Sequence, residues 1–100
     1  MIKLEIRVKI LPYKRIEFIQ AVKNICSLKS VSDPVTSLIV CQHLNDENIF
    51  NCTGEWDSRE KLDNYMKSIT YEMLIGAMQV LGEIQQAQIH DIHTTDEFGI

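Results

Sequence analysis

The sequence predicts an α+β domain in the ferredoxin-like order β-α-β-β-α-β, an antiparallel sheet with both helices on one face. Three observations carry that prediction. Ile2, Leu4, Ile6, Val8 and Ile10 alternate with Lys3, Glu5, Arg7 and Lys9, a period of two that belongs to a half-buried strand. Apolar residues then recur at helical spacing in two separate tracts, one opening near Tyr13 and one closing at Gly82. Between those tracts the turn-like run Asn45-Asp46-Glu47-Asn48 joins two segments rich in β-branched and apolar residues, the pattern of a hairpin.

Each element follows in order. Pro12 interrupts the first strand's ladder, and Ile16, Ile19, Val22 and Cys26, beside Phe18 and Ile25, give the first helix an apolar stripe ending near Ser27. Residues 29–35 (KSVSDPV) collect turn formers, and Pro34 disfavours helix at Asp33, so a loop is expected there. Strands are expected over 35–44 and 49–56. Asp57 stands where an N-cap is wanted, with Glu60 three residues later to complete a capping box. The second tract, from Leu62 through Tyr65, Met66, Ile69, Met73, Leu74, Ala77 and Met78 to Leu81, allows a break at 68–70. A last strand fits 84–93, though Gln85, Gln86 and Gln88 dilute its pattern. Residues 1–94 make one domain, and 95–100 are expected to be a polar, flexible tail.

Composition excludes several classes. A formal net charge of -4 with no Lys/Arg cluster offers no grip on a phosphate backbone, so nucleic acid is not an expected partner. The apolar runs, such as 38–41, are far shorter than the roughly 20 residues of a membrane span. The alternating start is unlike a secretory signal, and a cytoplasmic protein is expected. Three cysteines, Cys26, Cys41 and Cys52, make no disulfide framework and are expected to be reduced. No phosphate-binding Gly-rich loop, nucleophile elbow or paired-His zinc motif is present in the sequence.

The segment from Gly54 to Ser68, GEWDSREKLDNYMKS, carries a more specific signal. Its Glu55-Trp56 strand end, the Asp57-Ser58 cap, Leu62, Tyr65 and Ser68 resemble the antibiotic biosynthesis monooxygenase (ABM) domain family. The resemblance implies a homodimer in which two sheets face each other as a dimeric α/β barrel, with a pocket between each sheet and its helices. It further implies a small aromatic or quinol ligand and oxygen chemistry without metal or flavin, so no cofactor is expected. Aromatic-polyketide oxygenases of this type use an Asn, a Trp, a Tyr and an Arg at places that here hold Cys52, Trp56, Leu62 and, approximately, Gly76. Only the Trp is kept. Haem-degrading relatives use an Asn, a Trp and a His where this chain has roughly Ile6, Tyr65 and Ile75, which disfavours haem degradation.

Each candidate residue has a plainer reading beside the functional one. Trp56 is the candidate to wall a cleft, with Gly54 leaving room beside it, but a buried corner plug is the simpler account of the Trp and a bulge that of the Gly. Tyr65 is the candidate to orient a substrate oxygen and His43 the candidate base, while Cys52, Met66 and Met73 would line an apolar pocket; all have packing or surface roles as alternatives. Cys41 and His43 share a strand face, and a tight turn at Asp46-Glu47 would set Cys52 opposite Cys41, a zinc-like set that lacks a fourth ligand. Small core thiols account for those cysteines more simply, and no metal is expected. Asp91 with His93 would orient a base if they shared a face, and His90 and His93 fall on opposite faces. The alternative to catalysis is a dimeric module that binds a small apolar ligand. On the open sheet face, Lys3, Glu5, Arg7 and Lys9 are expected to pair across strands or meet a second subunit.

Overall fold

The computed structural model describes residues 1–27, 37–91 and 94–99. The expected loop at 29–35, the start of the second strand and His93 lie outside the described residues. Strands β1 (Ile2–Ile10), β2 (Ser37–Gln42), β3 (Ile49–Trp56), β4 (Gly82–His90) and β5 (Thr95–Glu97) form one sheet in the order β2-β3-β1-β4-β5. All neighbouring pairs run antiparallel. Helices are α1 (Arg15–Ser27), preceded by a 3-10 turn at Pro12–Lys14, then α2 (Arg59–Met66) and α3 (Ile69–Leu81). The chain therefore has the α+β arrangement the periodicities predict, with a fifth strand added.

The fifth strand replaces the expected tail. Thr95–Glu97 pair with Gln88–His90, and the Phe98 amide donates to the Ala87 carbonyl at 3.1 Å while its ring packs against the core. Strand pairing and the Phe98 ring together fasten this short segment.

Position in the sheet explains burial on β1. Held between β3 and β4 and covered by helices on one side, its even-numbered residues Leu4, Ile6, Val8 and Ile10 are at most 1% exposed. Phe18, Val22 and Ile25 from α1 meet Leu74, Ile75 and Met78 from α3 above that face, in a single apolar cluster. Its opposite face stays polar. There Arg7 Nε donates to Asn51 Oδ1 at 3.4 Å, and His90 bridges Glu5, at 3.1 Å from Nε2, and Thr95, at 3.1 Å from Nδ1. This is the cross-strand pairing expected for the charged row of β1.

One detail differs from expectation and another bears it out. The N-cap of α2 is Ser58, whose hydroxyl accepts from the Lys61 amide at 3.3 Å, and Asp57 instead pairs with the Lys61 ammonium at 3.2 Å. Both residues suit a cap, and the extended backbone at Ser58 decides between them. The allowed break is real: Ser68 caps α3 by accepting from the Tyr71 amide at 3.2 Å, so the long apolar tract is two helices. The hairpin turn is also built as expected. Asp46 accepts from the Asn48 amide at 2.9 Å, and Arg15 on α1 reaches Glu47 at 2.7 Å.

Candidate functional site

At the far end of β3, Trp56 is 0% exposed. Its indole lies over Gly54, where a Cβ would come within 2.8 Å of the ring's Cζ3. The space that glycine leaves is filled by the indole, not kept for a ligand. Tyr65 from α2 packs on the indole with ring centroids 5.0 Å apart, and Tyr71 from α3 packs on Tyr65 at 5.6 Å. These tilted contacts are the preferred geometry for aromatic quadrupoles. Trp56 Nε1 has no acceptor among the described residues. The expectation of Trp56 as a cleft wall is thus corrected: it is a corner plug joining β3, α2 and α3.

The other candidates separate. Tyr65 is 1% exposed and belongs to the same packed cluster. Cys52 is 1% exposed on the helix-covered face, and burial, with a smaller contribution from nearby Cys26, pushes its thiol up to about 12. Burial likewise raises the Tyr71 phenol, with Cys52 adding to it. Met66 is half-buried against the core, whereas Met73 is exposed on the outer side of α3. His43 follows the end of β2, with its amide bonded to the Ile49 carbonyl at 2.9 Å. Ile49 and Trp56 are opposite ends of β3, about 23 Å apart at 3.3 Å per residue, so one chain does not bring His43 to Trp56 or Tyr65. The proposed thiol–imidazole set also fails, because β2 and β3 register Cys41 with Asn51 and Val40 with Cys52. Cys41 is exposed on one face and Cys52 is buried on the other.

A neutral, buried Cys52 has measurable consequences. In the native protein a thiol reagent is expected to modify exposed Cys41 quickly and Cys52 only after unfolding. An acid whose folded pKa is raised holds its proton while the unfolded chain loses it. Cys52 therefore contributes stability that is complete below the ordinary thiol value of 9.0 and is lost as pH climbs towards about 12. Denaturation midpoints should fall across that window less steeply in Cys52→Ala, after its constant cavity penalty is subtracted.

The space in the sheet–helix layer lies elsewhere. An apolar groove of about 270 Å³ opens between α1 and the β2–β3 hairpin, lined by Phe18, Ile19, Val22, Val40 and Phe50, with Lys23 and Gln42 as its polar residues. Phe18 and Phe50 form its base, with centroids 4.9 Å apart and planes tilted by 57°. The groove was legible in part. Phe50 shares strand parity with Cys52 and Trp56, and Phe18, Ile19 and Val22 share the α1 stripe, but only the hairpin register places Val40 and Gln42 alongside them.

Solved structures share this arrangement closely. An oxygenase from Streptomyces nogalater, SnoaB, described as cofactor-independent, superposes with a TM-score of 0.75 over 93% of this chain and 93% of its own, at 8% identity. The fold is that of the ABM domain. A Nitrosomonas europaea protein described as an antibiotic biosynthesis monooxygenase gives a TM-score of 0.76 over 94% of this chain and 100% of its own, at 12% identity. A Deinococcus radiodurans protein of the same description gives 0.73 over 100% and 94%, at 17% identity. No family model and no curated protein matches the chain at the level of sequence. The ABM likeness is therefore one of backbone, which leaves the chemistry to be argued from this chain's own residues. No helix among the described residues is long and apolar enough to cross a membrane.

Proposed function

We propose that this protein is an ABM-type monooxygenase, a cytoplasmic homodimer that oxidises a small aromatic or quinol compound without metal or flavin. The groove between α1 and the β2–β3 hairpin is the observation that supports it, because it puts an apolar, aromatic-based hollow in the layer between sheet and helices. An aromatic body would lie against Ile19 and Val40, above the buried Phe18–Phe50 pair. The Lys23 ammonium at the margin favours an ionised phenol or quinol oxygen. In this chemistry the electron-rich substrate anion itself reacts with oxygen, and the protein contributes desolvation and orientation. Cys52, the next residue on the same face of β3, is registered with Val40 and lies buried in the core beside the groove. Trp56 and Tyr65 hold the far end of that strand in place, and His43 has no assigned proton transfer.

The second reading, a dimeric module that binds an apolar ligand without turnover, is favoured by a specific fact. Cys52, Leu62 and Gly76 occupy the places where aromatic-polyketide oxygenases carry polar catalytic residues. Oxygen uptake with a panel of quinols separates the two. The monooxygenase reading predicts substrate-dependent uptake, and Val40→Phe, which fills the groove, should lower kcat/KM at least tenfold, equivalent to about 1.4 kcal/mol of transition-state binding. Saturable quinol binding that Val40→Phe abolishes, with no uptake, would establish the module instead.

A further inference from the structure

Helix α3 is apolar on two sides. Its buried row, Tyr71, Leu74, Ile75 and Met78, faces the core. About 160° round the helix, at 100° per residue, a second row runs through Ile69, Met73, Gly76, Ala77 and Val80. Ile69 is 74% exposed, Met73 42% and Val80 76%. A surface helix normally turns polar residues outward, and a helix apolar all round is normally covered on both sides. Glu72 is the one charged residue of α3, and Glu72 and Gln79 stand to one side of the exposed row.

We propose that the outer face of α3 is a docking surface for a second copy of this chain, packed antiparallel across a two-fold axis beside residues 74 and 75. The sequence of the row is self-complementary in that arrangement. Ile69 faces the partner's Val80, and Met73 faces the partner's Gly76. Gly76 has nothing within 4 Å of the place its Cβ would occupy, so it forms a notch that a methionine side chain fits. An isologous contact requires a patch that matches its own inverted copy, and large against small at the centre with branched aliphatics at both ends meets that requirement. The sole carboxylate lies off the row, so two copies approach without like charges stacked at the centre. The contact is about 17 Å long at 1.5 Å per residue, and Leu11, 42% exposed and bonded through its amide to the Leu81 carbonyl, extends it at one end. One helix pair covers less than the roughly 1,600 Å² of a standard interface, so the association is weak and concentration-dependent.

The surface is distinct from the open sheet face, and a test separates the two. Light scattering is followed from about 5 to about 500 µM chain, a span that brackets a micromolar Kd. The wild-type mass is expected to rise towards twice its low-concentration value, or beyond it where a sheet-paired dimer uses both of its α3 faces. The double variant Met73→Lys/Val80→Lys should raise that Kd at least tenfold. Gly76→Leu should do the same while melting higher than the wild type, because it fills the notch yet improves helix propensity. Association through the sheet would persist in both variants as the low-concentration mass. In a Cys41→Ser background, oxidising a mixture of Met73→Cys and Gly76→Cys chains should cross-link the two kinds to each other more than either to itself. A wild-type mass flat across the range, a rise that neither variant alters, or an absence of the mixed cross-link would each overturn the proposal.

Discussion

Trp56→Ala is expected to cost about 3–5 kcal/mol of stability, the range for removing a fully buried large aromatic. For a domain of this size that lowers Tm by roughly 15–30 °C, readable by calorimetry. The reason is geometric: the indole is 0% exposed, covers Gly54 and carries the Tyr65–Tyr71 stack, so its loss leaves a cavity where β3, α2 and α3 meet. Trp56→Phe should be much milder, within about 2 kcal/mol, because a ring remains and a buried N–H with no acceptor among the described residues is removed. A Trp56→Ala protein that melts within a few degrees of the wild type would show that the indole is not the plug described here.

The second large effect is Gly82→Ala, expected to cost about 2–3 kcal/mol through overpacking. Gly82 ends α3 and opens β4, pressed against the last two residues of β1. A Cβ there would strike the Lys9 carbonyl oxygen and lie 2.8 Å from Ile10 Cα, and both obstacles are backbone of the central strand. No rotamer change relieves such a contact. Gly76→Ala is the natural control, since nothing lies within 4 Å of its Cβ position and the substitution should gain about 1 kcal/mol from helix propensity. Urea titration of the pair reads opposite signs; equal midpoints would refute the close approach at Gly82.

Most of the fold could be read from the sequence because period two on β1 and period 3.6 on α1 and α3 each follow directly from a buried face. β4 was harder for a definite reason. Arg7 pairs with Gln86 but Val8 pairs with Ile84, so Gln85 is an extra residue and strand parity changes across it. Ile84 on one side of that bulge and Ala87 and Ile89 on the other all face the core, although their numbers differ in parity. A simple alternation test cannot detect such a strand. The site was less legible still. Parity placed Cys52, Gly54 and Trp56 on the helix-covered face, but whether a residue there fills space or borders it depends on its neighbours across strands and helices. The indole fills the gap above Gly54, and the open space lies at the other end of β3 beside Phe50, where residues from three elements converge.

The location of the single indole also decides what its emission can report. Buried against Gly54 and Tyr65 and away from water, it should fluoresce at short wavelength and resist collisional quenchers until the chain unfolds. Phe50, at the groove, is six residues along β3 from it, or about 20 Å at 3.3 Å per residue. Intrinsic fluorescence is thus a faithful gauge of global folding and a poor one of occupancy, and titrations with quinols are better followed through the optical signal of the added compound.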